Sequence, residues 1–285
     1  MTDDILEMVE DLLKSAMKSF DKMANDACDV LSGGIDSTLW NTVVGSSNVF
    51  SIFCNIIIGI CILLELAQIA SKVDLIKWEH GLKCGVKLCI AKVCIDVAPT
   101  FLKACYNQCN LFIAGLGASA SVNLSGAILP EINSALLGID TLGGAIGLLA
   151  SSLILIIGIK ICGLLVMVMA YGRVFEILIY LLVSPLPISF ACYTGGGDGI
   201  ARITTKFFKG FIAVCLSGVM MYMSISLFGT IVSTSFRDFV DRTLASGVSG
   251  GALVSDLCYD MILFTIVLVM AIAKSGGWAK QIMDA

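Results

Sequence analysis

The feature that most constrains this sequence is a run of 22 residues, 49–70, with a single charged side chain, Glu65. A helix of this length reaches roughly 33 Å, which matches the hydrocarbon core of a bilayer. Further apolar runs follow at residues 144–171, 210–232 and 253–273. Only 14% of the residues are charged, against about 25% in a typical soluble domain. The sequence therefore predicts an all-α, polytopic membrane protein rather than a soluble enzyme or a nucleic-acid-binding domain.

Residues 1–48 differ from the rest of the chain, because they carry nine acidic residues and three lysines. Apolar residues recur here every three or four positions, which predicts an amphipathic helix that ends near Ser32. We expect residues 1–48 to form an extracytoplasmic segment and residues 49–285 to form the transmembrane domain. We also expect the apolar face of the helix to bind another subunit. That face consists of Val9, Leu13, Ala16, Phe20, Met23 and Ala27.

The distribution of lysine and arginine predicts how the chain is threaded, since short cytoplasmic loops are enriched in both. Four lysines fall within residues 72–87, whereas residues 116–142 contain neither lysine nor arginine. We therefore place the first loop inside the cell and the second outside. With a second span at residues 84–115, this gives about five transmembrane helices, an extracytoplasmic N-terminus and a cytoplasmic C-terminus.

A sixth span is possible at residues 174–193, which are apolar enough to cross. Pro185 and Pro187 argue against a continuous helix there, because each lacks a backbone donor and clashes with the preceding turn. A crossing would also place Lys206 and Lys209 outside the cell, against the charge rule. We therefore predict a re-entrant or interfacial element with a helix break at the two prolines.

Six ionisable residues lie within the apolar stretches or directly beside them, where an unpaired charge is costly. They are Glu65, Lys160, Arg173, Glu176, Asp256 and Asp260. Glu65, Lys160, Arg173 and Glu176 are the candidate site residues. One interpretation places them at a pore or a subunit contact. The alternative is structural: Arg173 and Glu176 lie three residues apart and can form an ion pair, and long side chains can reach the membrane surface.

Small residues indicate that the helices assemble closely. Gly143 and Gly147 form a G-x-x-x-G pattern, which permits close approach of two helices in a membrane. We expect these glycines to be helix-packing positions in an oligomer.

No pattern in the sequence predicts catalysis or cofactor binding. The segment 31–37 is similar to a phosphate-binding loop, but a helix precedes it where such a loop requires a strand. The twelve cysteines do not follow zinc-ligand spacing, and His80 is the single histidine. We therefore expect a protein that is not an enzyme, with no metal, cofactor or directly bound nucleotide.

Residues 173–228 resemble the core of the TrbL-type polytopic subunits of type IV secretion and conjugation machines. The shared features are the Arg/Glu-bearing apolar stretch, the break at Ser184-Pro185, the glycine-rich loop at 195–199 and the Lys-Phe-rich helix start that follows it. The resemblance implies a subunit of the bacterial cytoplasmic (inner) membrane, encoded by a mobile element. It also implies a homo-oligomeric ring, with lipid between the copies, around a path for DNA or protein. Other secretion-system subunits, including ATPases, would be its partners.

Two other functions remain open from the sequence. A stand-alone ion-coupled transporter or channel would explain ionisable residues at membrane depth, such as Glu65 and Lys160. A non-conducting membrane scaffold would explain the amphipathic N-terminal helix as a docking element.

Overall fold

A computed structural model shows a protein built from long helices. It describes residues 2–33, 35–72, 78–117, 123, 125–126, 142–191, 198–245 and 250–284, and these contain no strand. The helices are α1 (Thr2–Ser32), α2 (Ser37–Lys72), α3 (Trp78–Gly117), α4 (Leu142–Val183), α5 (Pro185–Ala191), α6 (Asp198–Ala245) and α7 (Gly250–Asp284). Most of the predicted outside loop at 116–142, and the start of the glycine-rich loop, lie outside the described residues.

Four stretches of the described helices are long and apolar enough to cross a membrane. They are Ser37–Ala67, Leu149–Phe190, Ile203–Ser235 and Cys258–Met283. The prediction of an all-α polytopic membrane protein is therefore confirmed. The predicted second span, at residues 84–115, lies in α3, whose apolar run is interrupted by Lys92, Asp96 and Lys103. Because α3 is not among the four stretches, the count of five spans stays a prediction.

Helix α4 is longer than the sequence indicates. It contains 42 residues, which corresponds to roughly 63 Å, or about twice the hydrocarbon thickness of a bilayer. The helix ends at Val183, and the Ser184 hydroxyl donates a hydrogen bond to the Leu181 carbonyl at 2.8 Å. Helix α5 then begins at Pro185. The N–H of the first residue of a helix has no acceptor within the helix, so a proline at this position costs no hydrogen bond. Residues 174–183, predicted as part of a re-entrant element, thus continue α4.

The helices fall into two compact units. The first unit comprises Met1–Ser32, Ile113–Gly172 and Ser217–Gly277. Its core joins the apolar face of α1 to side chains of α4, α6 and α7. The predicted domain boundary at residue 48 does not coincide with this division, since α1 shares its core with helices of the predicted transmembrane domain.

The second unit comprises Gly33–Phe112, Arg173–Leu216 and Trp278–Ala285. In one of its clusters, Tyr180 packs against Phe207 and Phe211, with ring centroids 5.3 and 6.0 Å away. A second cluster packs α2 against α3 and α5. Its buried members are Cys54, Ile58, Ala91, Ile95, Ala98 and Ile188.

Candidate functional site

Glu65 is the one acidic residue in the apolar part of α2, and it is only 8% exposed. It forms an ion pair with Lys87 of α3, whose ammonium donates a hydrogen bond to its carboxylate. The sequence analysis missed this partner because it placed residues 72–87 in a loop, whereas α3 begins at Trp78. A buried carboxylate at a span is costly without a counter-charge. The geometry therefore gives Glu65 a structural role in joining α2 to α3.

Arg173 and Glu176 form a second ion pair, within α4. The Arg173 Nη1 donates to Glu176 Oε2 at 2.9 Å, and the two side chains are 23% and 39% exposed. This is the local i, i+3 pairing that the sequence left open as the structural alternative. It leaves two neutralised polar groups on the surface of the helix.

Lys160 has a different environment from the other three candidates. It is exposed on α4, and the apolar side chains Ile157, Ile161 and Leu164 around it are 54–59% exposed. A lysine on an apolar helix surface is costly against lipid unless its ammonium reaches water or an acidic partner. Of the four ionisable candidates, Lys160 is thus the one whose position favours a contact outside the chain.

A polar pocket of about 200 Å³ lies in the second unit, and the sequence analysis did not anticipate it. Its polar lining consists of Ser47, Asn48, Ser51, Asp96 and Thr100. Pro99 lines it too, and as a proline inside α3 it cannot donate to the carbonyl one turn earlier. Asp96 also accepts a hydrogen bond from Lys92 at 2.9 Å. The pocket offers hydroxyl, amide and carboxylate groups beside the candidate span of α2, a suitable lining for water.

The apolar face of α1 has a different partner from the one predicted. Val9, Leu13, Ala16, Phe20 and Ala27 are at most 3% exposed, and Met23 is half-buried. Val9, Leu13, Phe20 and Ala27 share a core with side chains of the chain's own α4, α6 and α7, and Met23 lies against Gly163 of α4. The interpretation of this face as a site for another subunit is corrected: the helix needs an apolar partner, and its own unit provides one.

Within one copy, close helix packing occurs at glycines other than the predicted pair. Gly143 lies in the first turn of α4, and none of the described atoms beyond the local turn lies within 4 Å of a Cβ placed on Gly147. Packing of this pair between copies stays a prediction. A Cβ on Gly163 would instead lie 2.7 Å from the Met23 sulfur. A Cβ on Gly210 would lie 2.7 Å from the Tyr180 hydroxyl. No G-x-x-x-G signal marks either glycine, which is why sequence reasoning missed them.

The segment 31–37, which is similar to a phosphate-binding loop, accepts hydrogen bonds at a backbone carbonyl, whereas a phosphate-binding loop presents its backbone N–H groups to the ligand. The Tyr106 hydroxyl and the Asn110 amide both donate to the Gly33 carbonyl, at 3.2 and 3.0 Å. This anchors the connection before α2 to α3. Within the described residues, no group of three His, Cys, Asp or Glu side chains could hold a metal ion.

The thiol of Cys28 on α1 is buried in the first unit. Burial raises its pKa to about 12, and the neighbouring Asp29 carboxylate adds a smaller contribution in the same direction. The thiol is therefore protonated at neutral pH and behaves as a small apolar packing group.

Comparison with known proteins gives one match. Residues 36–185, just over half of the 285 in the chain, match the family described as TrbL/VirB6 plasmid conjugal transfer like protein. The matched region overlaps the predicted resemblance at 173–228 only in its last 13 residues, but the family is the one that the sequence analysis named. No curated protein and no solved structure matches the chain. A multi-pass helical protein with a match over this much of its length belongs to the TrbL/VirB6 plasmid conjugal transfer-like family.

Proposed function

We propose that this protein is a subunit of the membrane channel or platform of a type IV secretion machine that transfers conjugative DNA or protein. The observation that carries the proposal is the family match over residues 36–185. In this proposal the protein acts as a homo-oligomer in the cytoplasmic membrane, and ATPases encoded by other genes supply the energy.

The arrangement of charge in the apolar helices supports an assembled form of the protein. Glu65, Arg173 and Glu176 have partners within the chain. Lys160 is exposed among exposed apolar side chains. In an oligomer, a neighbouring copy or a water-filled space between copies would remove the cost of placing its ammonium against lipid.

The proposed orientation follows the distribution of lysine and arginine. The N-terminus lies outside and the C-terminus in the cytoplasm, because the lysine-rich segment 72–87 is then inside and the segment 116–142 is outside. Other secretion-system subunits would contact the extracytoplasmic side.

The experiment is an in-frame deletion of the gene from its mobile element, followed by mating. We expect transfer to fall below detection while growth of the donor is unchanged, and a plasmid-borne copy should restore it. Normal transfer from the deletion strain would contradict the proposal. A photoreactive amino acid at position 160 then tests the oligomer, since a homodimeric cross-link is expected there. The matched control is position 159, which is 3% exposed and should give no cross-link between copies.

A further inference from the structure

Two side chains of opposite charge in the first unit form no ion pair with any other residue that the structure describes. They are Lys160 of α4, which is exposed, and Asp260 of α7, which is half-buried. Both lie within stretches that are apolar enough to cross a membrane, where an unpaired charge is costly. Because their signs are opposite, each is a suitable partner for the other.

Contacts between α4 and α7 show that the two helices run in the same direction. The side chains of Ser151 and Cys258 are hydrogen-bonded to each other. Further along both helices, Ile262 lies 4.0 Å from a Cβ placed on Gly158. Asp260 lies midway between the two contact residues of α7, so it is level with about residues 154–155 of α4.

The same contacts show that Lys160 cannot reach Asp260 of its own chain. Lys160 is two residues after Gly158, and Asp260 is two residues before Ile262. Two residues correspond to about 200° around a helix, so Lys160 points away from α7 and Asp260 points away from α4. The two charges therefore lie on opposite edges of the layer that α4 and α7 form, with both helices between them.

Exposed apolar side chains accompany each charge on its edge of this layer. Ile157 and Leu164, one turn from Lys160, are both 59% exposed. Leu263, one turn from Asp260, is 60% exposed. A contact that covers these apolar groups and pairs the two charges removes the cost that each charge has alone.

We propose that Lys160 of one copy forms an ion pair with Asp260 of the next copy, so that the copies join head to tail. This proposal rests on the proposed function, in which the protein acts as a homo-oligomer. Two different edges that complement each other generate a closed ring when the rotation between copies closes. The occupant of each edge is thus a second copy of this chain.

The levels of the two residues agree with this pairing. In a ring whose axis follows the helices, all copies lie at one level. Lys160 is then five to six residues, about 8 Å, further along the axis than Asp260. Side chains on a helix lean towards its N-terminus, which is the direction of Asp260, and the four-carbon stem of lysine covers most of the difference.

The first test joins the two edges directly. Lys160→Cys and Asp260→Cys are placed in two copies that carry different affinity tags and are expressed together, and membranes are oxidised with copper phenanthroline. We expect a cross-linked product that carries both tags, with a disulfide between positions 160 and 260. Peptide mass spectrometry identifies this link, so the twelve native cysteines stay in place. The matched control pairs Asp260→Cys with Ile159→Cys, a position that is 3% exposed and should give no link.

A chain that carries both substitutions distinguishes two kinds of assembly. Head-to-tail joining uses both edges of every copy, so oxidation should give trimers and longer products, whereas a two-fold dimer stops at two copies. Absence of the link between 160 and 260, or products that stop at the dimer, would overturn the proposal. A homodimeric photo-cross-link from position 160 would then show that the oligomer exists without this pairing.

The second test exchanges the charges. Lys160→Glu and Asp260→Lys each place like charges at the contact, and each should lower DNA transfer about tenfold or more. The variant with both changes restores opposite charges and should return transfer to within about threefold of the wild type. Membrane levels of all variants are measured by immunoblot.

A double variant as defective as the single ones would contradict the ion pair. The cross-link is read in membranes without mating, so it still reports on the pairing if the deletion strain transfers DNA normally and the proposed function fails.

Discussion

The Lys87 ammonium donates a hydrogen bond to the Glu65 carboxylate, and this ion pair joins α3 to the apolar part of α2. Replacing Glu65 with Gln removes the counter-charge from Lys87. The Lys87 side chain is 38% exposed, so water compensates part of the loss, and we expect a destabilisation of about 1–2 kcal/mol. Thermal unfolding of the purified protein in detergent measures it.

The exposed pair of Lys92 and Asp96 is the matched control, because it lies on the same helix and its side chains are 47% and 52% exposed. Asp96→Asn should cost about 0.5 kcal/mol or less. The exchanged double variant, with Glu65→Lys and Lys87→Glu, should recover most of the lost stability. Equal destabilisation by Glu65→Gln and Asp96→Asn would contradict the structural role of the buried pair.

Gly163 sets how closely α1 approaches α4. A Cβ there would lie 2.7 Å from the Met23 sulfur and 3.6 Å from the Phe20 ring. Gly163→Val therefore has to displace the Met23 side chain and crowd the Phe20 ring, and we expect a loss of about 1–3 kcal/mol from overpacking. The measurement is thermal unfolding, with limited proteolysis to detect release of α1.

Gly172 is the control for this substitution, since it lies on the same helix and no atom of the described part of the chain, its own turn aside, is within 4 Å of a placed Cβ. Gly172→Ala should raise stability by about 0.5–1 kcal/mol, because alanine loses less conformational entropy in a helix. If Gly163→Val unfolded at the wild-type temperature, the close approach of α1 to α4 would be disproved.

The sequence predicted those structural features that depend only on residues close together along the chain. The three-to-four spacing of Val9, Leu13 and Phe20 predicts an amphipathic helix, because it places them on one face of 3.6-residue turns. The pair of Arg173 and Glu176 likewise follows from their separation along one helix.

Relationships between distant segments could not be predicted in the same way. The apolar face of α1 shows that the helix needs a partner, but not whether the partner is another subunit or its own α4. The pair of Glu65 and Lys87 depends on how α2 and α3 pack, across 22 residues of chain. Gly163 carries no signal of its own, because its importance comes from a methionine 140 positions earlier.

Substitution of Gly147 tests whether this glycine packs between two copies of the protein. Among the described residues beyond its own helical turn, no atom lies within 4 Å of a Cβ placed there, so we expect a larger side chain to be tolerated within one copy. Gly147→Leu should leave thermal unfolding of the single chain within about 0.5 kcal/mol and weaken association through a G-x-x-x-G contact. Cross-linking in native membranes, resolved by size, measures the oligomer. An unchanged oligomer would exclude Gly147 from the interface.

The raised pKa of the Cys28 thiol predicts that the stability of the protein depends on pH. Its pKa is raised to about 12 in the folded protein, whereas an unperturbed thiol has a pKa of about 8.5. The unfolded chain therefore loses this proton first as the pH rises. The stabilisation is complete below pH ~8.5 and declines as the pH rises towards the folded value. Between about pH 8.5 and 10.5, the unfolding temperature of the wild type should fall more steeply than that of Cys28→Ala. A slope for Cys28→Ala equal to that of the wild type would contradict the prediction.

The topology prediction concerns the chain after α4. The helix ends at Val183 and α5 begins at Pro185, so the chain has a point at which it can turn back without crossing. Lys206 and Lys209 follow in α6, and Lys274 and Lys280 in α7. Placing all four lysines inside satisfies the charge rule.

Single cysteines introduced at Ser119, Thr194 and Asp284 test this arrangement, with an impermeant thiol reagent added to intact cells and peptide mass spectrometry to locate the label. We expect labelling at position 119 alone, because five spans leave the other two positions in the cytoplasm. Permeabilised cells are the control, and there positions 194 and 284 should both react. If 194 and 284 are labelled in intact cells, the segment 174–193 crosses the membrane, the chain has six spans and the C-terminus lies outside.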